Sequence, residues 1–175
     1  MSLLRGGVYL NDINIEKLKT LRKMYAILKV FNFDFNMYES SKETRIVFQK
    51  LVYISQRNRF NLGYHYNLYL NGPYSPGLAE DGYFMVRNMS QFTGEGKEFK
   101  LSASGMEKVK NIRFFIDNKV NDSKWLETIG TLDYLVFETK IRSKRDSFIK
   151  FKSIKPTLYD ERILNKAWEL LDSIQ

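Results

Sequence analysis

The chain contains no cysteine. That excludes disulfides, cysteine-ligated zinc, iron–sulfur clusters and thiol catalysis. Proline (3) and glycine (10) are scarce, which argues against a disordered or loop-dominated chain. A single histidine, His65, leaves little for acid–base or metal chemistry. No apolar run approaches the roughly 20 residues of a membrane span, so no membrane association is expected. The first residues lack an apolar core followed by a small-residue cleavage site. Secretion is therefore not expected, and a cytoplasmic location is.

What is present is apolar and aromatic. Hydrophobic residues make up 43% of 175, enough for a substantial core, with 13 Phe and 11 Tyr. The length fits one domain over 1–175. The net charge of +8 is uneven. Residues 1–60 and 139–155 each carry a net +6, while residues 61–138 and 156–175 each carry −2. Either basic block suits an anionic partner, although a lysine-rich surface also serves solubility alone.

The stretch from His65 to Pro76 is the most informative. Tyr66, Leu68 and Leu70 alternate with polar neighbours, which predicts a strand over 65–71 with one buried face. Pro73 ends it, and Ser75-Pro76 reads as a helix start, with Ser at the N-cap and Pro at the first helical position. Upstream, Ile15, Leu18, Leu21, Tyr25 and Leu28 have helical spacing. Phe31, Phe33 and Phe35 predict a loop that tucks its rings inward. Ser40 with Glu43 resembles a capping box for a second helix carrying Val47, Phe48, Leu51 and Ile54. Residues 98–101 alternate and read as a returning strand, and 97–101 is expected to pair with 65–71 after the polar turn around Gly94 and Gly96. Further helices follow around Val109 and Ile129, and then a basic segment over 140–145. A last helix, capped near Thr157, uses Leu164, Ala167 and Leu171.

Helix, helix, strand, helix, strand is compatible with a winged helix. The expected fold class is α+β and mostly helical. A winged-helix-like core would span 13–104, with a small antiparallel β wing, and a C-terminal helical extension would span 105–175.

Lys50-Leu51-Val52-Tyr53, then Tyr69 ahead of Gly72-Pro73, then Ser75-Pro76 and Tyr83-Phe84, form an ordered set. In these motifs the chain resembles the Panacea family of phage-associated, antitoxin-like proteins. It is still more similar to the small uncharacterised prokaryotic proteins of the YwgA type, since Tyr69 stands where Panacea members usually carry Trp. The resemblance runs over residues 42–174 and includes Trp125-Leu126-Glu127 and Lys155-Pro156-Thr157. It implies a winged-helix-like fold, no catalytic activity, and regulation or toxin neutralisation by binding. It carries over no catalytic residue.

The remaining constellations have two readings each. His65 has no sequence-adjacent Ser or Asp and reads as structural or surface. Glu80-Asp81 diverge by about 100° on a helix, so a wet helix edge is expected rather than a metal site. In a winged helix, these carboxylates on the recognition helix would repel phosphate. Lys97 and Lys100 on the wing could touch a DNA backbone, or merely protect a sheet edge. Lys144, Arg145, Lys150 and Lys152, interleaved with Phe148 and Phe151, suit phosphate contact and stacking; an amphipathic helix with a wet basic face explains them equally. Lys17, Lys19, Arg22 and Lys23 on the first helix are a weaker basic set. Among the clustered tyrosines, Tyr69 and Tyr74 are the expected partner contacts.

The reading is a non-enzymatic regulator without cofactor or metal. It binds double-stranded DNA through the wing and basic segments. The alternative is an adaptor or antitoxin-like module holding a protein such as a toxin. A homodimer is compatible with both.

Overall fold

The computed structural model describes residues 15–93 and 99–173. Among the described residues, helix of both α and 3-10 type makes up 68%, with seven α-helices beside one two-stranded antiparallel sheet, so the fold is α+β and mostly helical. The helices are α1 (Ile15–Val30), α2 (Lys42–Arg57), α3 (Pro76–Arg87), α4 (Ala103–Phe115), α5 (Ser123–Phe137), α6 (Lys144–Ile154) and α7 (Glu161–Asp172). The strands are β1 (Asn67–Tyr69) and β2 (Gly72–Tyr74).

Helix starts follow the sequence closely. Ser75 caps α3 by accepting from the Leu78 amide, with Pro76 at the first position. Ser102, Asp122 and Ser143 do the same for α4, α5 and α6. Two caps differ from expectation. Ser41 rather than Ser40 opens α2, because its extended backbone aims Oγ at the Thr44 amide. Pro156 opens only a short 3-10 turn; α7 waits for Asp160, whose carboxylate accepts from the Arg162 and Ile163 amides.

Helices α2 and α5 form the centre. Eleven of the fifteen residues of α5 are buried, and it packs against α2, β2, α6 and α7. Phe48, Leu51, Ile54, Leu126, Ile129 and Leu132 belong to one continuous buried core, and Tyr53 and Arg57 of α2 meet Asp133 of α5 directly. Phe31 and Phe33 turn inward as expected, and Phe33 stands 4.9 Å from Phe35 ring to ring. Phe148 and Phe151 of α6 are buried, and the lysines of that helix face water.

The sheet corrects the expected wing. β1 pairs with β2 in a tight hairpin, Leu68 opposite Pro73 and Tyr69 opposite Gly72. Residues 99–101 form no strand and do not reach residues 65–71. Gly72 adopts φ +82°, the left-handed bend that closes short hairpins over glycine. Pro73 is tolerated because a two-stranded ribbon consists only of edges. The ribbon therefore lies before α3, whereas a wing would follow it. The period-two burial is real but starts earlier: Leu62 and Tyr64 are buried, Tyr66 and Leu68 half-buried. Leu70 was expected on the buried face. It sits at the hairpin tip and is 91% exposed.

Candidate partner-binding cleft

Helix α2 presents Lys42, Arg45, Ile46, Gln49 and Lys50 on one face, at the spacing of successive turns. The hairpin rises opposite that face, with Tyr69, Leu70, Asn71 and Tyr74 turned toward it. Tyr38, from the α1–α2 connection, and Ala79 and Tyr83 of α3 close the ends. The enclosed cleft has a volume of about 310 Å³. The two expected partner contacts thus share one wall. Tyr69 and Tyr74 meet edge to face at 5.2 Å, as do Tyr38 and Tyr83 at the same separation.

The cleft walls are held by side chains that mimic backbone. The Gln49 amide brackets Ser75: Nε2 donates to its carbonyl at 3.0 Å, and Oε1 accepts from its amide at 3.0 Å. Seven residues on, Gln56 brackets Tyr64 in the same way, at 2.7 and 2.9 Å. Two glutamines on one face of α2 therefore tie down the extended chain on either side of β1. Arg45 donates to the carbonyls of Tyr38 and Glu39, both at 2.9 Å, which fixes the opposite rim.

Beneath the hairpin lies a buried ionic cluster. Lys155, at the end of α6, donates to the carbonyls of Tyr69 and Leu70 and to Glu127 Oε1 of α5 at 2.8 Å. Asn71 donates to the other Glu127 oxygen at 3.2 Å. Lys50 donates to the Pro73 carbonyl at 2.7 Å. All three charged side chains are more than nine-tenths buried. Burial pushes the Lys50 ammonium down to about 7 against the opposing pull of Glu127, and Lys155 pushes the same way as burial. The motif residues Lys50, Gly72-Pro73, Glu127 and Lys155, more than a hundred positions apart in sequence, converge here.

A second buried group ties α2 to α5. Asp133 accepts from Tyr53 at 2.5 Å and from Arg57 at 3.0 Å. Burial raises the Asp133 carboxyl, and Arg57 counteracts the rise.

The basic candidates lie elsewhere. Lys144, Arg145, Lys150 and Lys152 are all exposed on α6. Lys144, Arg145 and Lys152 border a shallow groove with Ile149 (60% exposed), Tyr159 of the following turn and Asn165 of α7. Lys100 is exposed on an irregular segment, and Lys97 lies outside the described residues. Asp81 is buried and paired with Tyr64 at 2.6 Å and with Lys17, while Glu80 faces water. His65 is exposed. Among the described residues no cluster of His, Asp and Glu could hold a metal ion, and no helix is long and apolar enough to cross a membrane.

Sequence reasoning missed Gln49 and Gln56, and it named Glu127 and Lys155 only within the motifs of the resemblance, without their pairing. The seven-residue spacing of the glutamines on a buried helix face was a usable signal. The Glu127–Lys155 pair had none, because it forms only in three dimensions. Compared with known protein families, curated proteins and solved structures, the chain matches none of them.

Proposed function

We propose that this protein is a non-catalytic binding module whose tyrosine-lined cleft holds a segment of a protein partner, in the manner of an adaptor or antitoxin-like protein. The observation that carries the reading is the hairpin tip. Leu70 and Tyr69 project 91% and 51% exposed beside a concave aromatic wall. Rigid tyrosines combine apolar area with a polar end at low entropic cost, the composition of partner anchors. The resemblance of the surrounding motifs to antitoxin-like proteins supports the same reading. A photo-crosslinking amino acid at position 70 tests it in the living cell. One discrete adduct, lost when Tyr74→Arg fills the cleft, is expected. No adduct at position 70 sinks the reading.

The exposed basic face of α6 favours a second reading, a DNA-associated regulator. Here the contact would be nonspecific and made by Lys144, Arg145 and Lys152 on phosphate. Helix α3 is a poor recognition helix for this purpose. It carries no cation before Arg87, which pairs with Glu39 at 2.8 Å. The expected result is duplex binding whose affinity falls with salt at a logarithmic slope of about −0.9 per phosphate neutralised. The double change Lys144→Glu with Arg145→Glu is expected to remove about two of those contacts, read by fluorescence anisotropy. No binding at low salt removes this reading.

A further inference from the structure

The cleft has a sign. Lys42, Arg45 and Lys50 line it, and no aspartate or glutamate does so among the described residues. Lys50 stands at its inner end, 1% exposed, and its ammonium makes one hydrogen bond, to the Pro73 carbonyl. An ammonium has three donors, so two find no protein acceptor among the described residues. The buried cluster behind it holds two lysines against one carboxylate, an excess of one positive charge when Lys50 is protonated. Burying such an excess is costly, and an anion arriving from the cleft would offset it.

We propose that the cleft takes an acidic segment of its protein partner, with an aspartate or glutamate carboxylate reaching Lys50 and an apolar side chain seated among Tyr38, Tyr69 and Tyr74. This rests on the cleft being the binding site, as argued above, and adds the chemistry of what it recognises. The arriving carboxylate favours the charged form of Lys50, so binding takes up a proton. The charged groups acting on Lys50 are Glu127 of α5 and Lys155 at the end of α6; the hairpin tyrosines, Tyr83 of α3, and Lys42 and Arg45 of α2 line the same cleft. Replacing Lys50 alone alters none of these residues and removes one hydrogen bond, to the Pro73 carbonyl.

Selection of a random dodecapeptide library on the full chain tests the proposal, with sequencing as the readout. Selections at about pH 6 and about pH 8.5 keep the peptide carboxylates ionised in both. The expected result is enrichment of Asp or Glu beside an aromatic or aliphatic residue. Above pH 7, where free Lys50 loses its proton, affinity for such peptides is expected to fall by up to about tenfold per pH unit. Lys50→Met should abolish both the acidic preference and the pH dependence. The exposed change Lys42→Glu, which leaves the interior untouched, should also lower acidic enrichment. Enrichment of neutral or basic peptides overturns the proposal while leaving the cleft as the binding site. So does acidic binding that is indifferent to pH and to both changes. No enrichment above the Leu70→Asp protein removes the cleft reading itself.

Discussion

At Gly72 the hairpin meets the helical body most tightly. A Cβ there would lie 2.6 Å from Thr131 Oγ1 and 3.2 Å from Lys50 Cε, on a backbone at φ +82°. Two independent penalties act on one site, so Gly72→Ala is expected to cost about 2–4 kcal/mol in urea unfolding. Lys50, its neighbour, gives the chain a pH signature. The folded ammonium titrates near 7, below the 10.5 of an ordinary lysine, so over that interval the folded chain holds fewer protons than the unfolded one. Stability must then rise as pH climbs from 7 toward 10, by at most about 1.4 kcal/mol per unit. Lys50→Met should lack that rise, and paired denaturation curves at several pH values would show whether it does. Lys50 was visible in the sequence as part of a motif, but its burial was not. Nothing local marks a lysine on a helix as interior, and its surroundings come from α5 and the end of α6.

The hairpin shows how a readable signal can be outweighed. Asn71-Gly72 is a strong turn dipeptide, yet Pro73 directly after it argues against a strand, and the alternation near residues 97–101 offers a competing partner in the sequence. An isolated ribbon has no interior position for proline to spoil. Helix starts are legible where the cap is local, as at Ser75, which binds the Leu78 amide three residues on; the Ser143 cap of α6 has the same geometry but lies in a stretch that reads first as a basic segment. The extended chain between α2 and α3 was half legible. Its alternating burial showed in Tyr66 and Leu68, but neither its earlier start at Leu62 and Tyr64 nor what holds it, since Gln49 and Gln56 replace a neighbouring strand. The expected consequence is an uneven pattern of hydrogen exchange. The Tyr64 and Ser75 amides, bound by glutamine side chains, should exchange more slowly than the exposed positions near them, such as Gly63 and His65. Uniformly fast exchange from 61 to 75 would show that the glutamine brackets do not persist in solution.

Across the whole molecule, the two candidate surfaces are segregated. The basic face of α6 and the tyrosine cleft are built from different elements, and α5 supports both from beneath. Leu70 contributes to neither core nor cap. Leu70→Asp should therefore change unfolding free energy by no more than about 0.5 kcal/mol while abolishing partner binding. A thermal melt and a binding titration on the same preparation check the two halves together.

Lys155 grips the Tyr69 and Leu70 carbonyls, and Asn71 is moored to Glu127, so the hairpin tip is tethered from beneath while the Leu70 side chain is turned to solvent. Were the cleft the binding site proposed above, the hairpin would meet its partner already in shape, with little ordering left to do on contact.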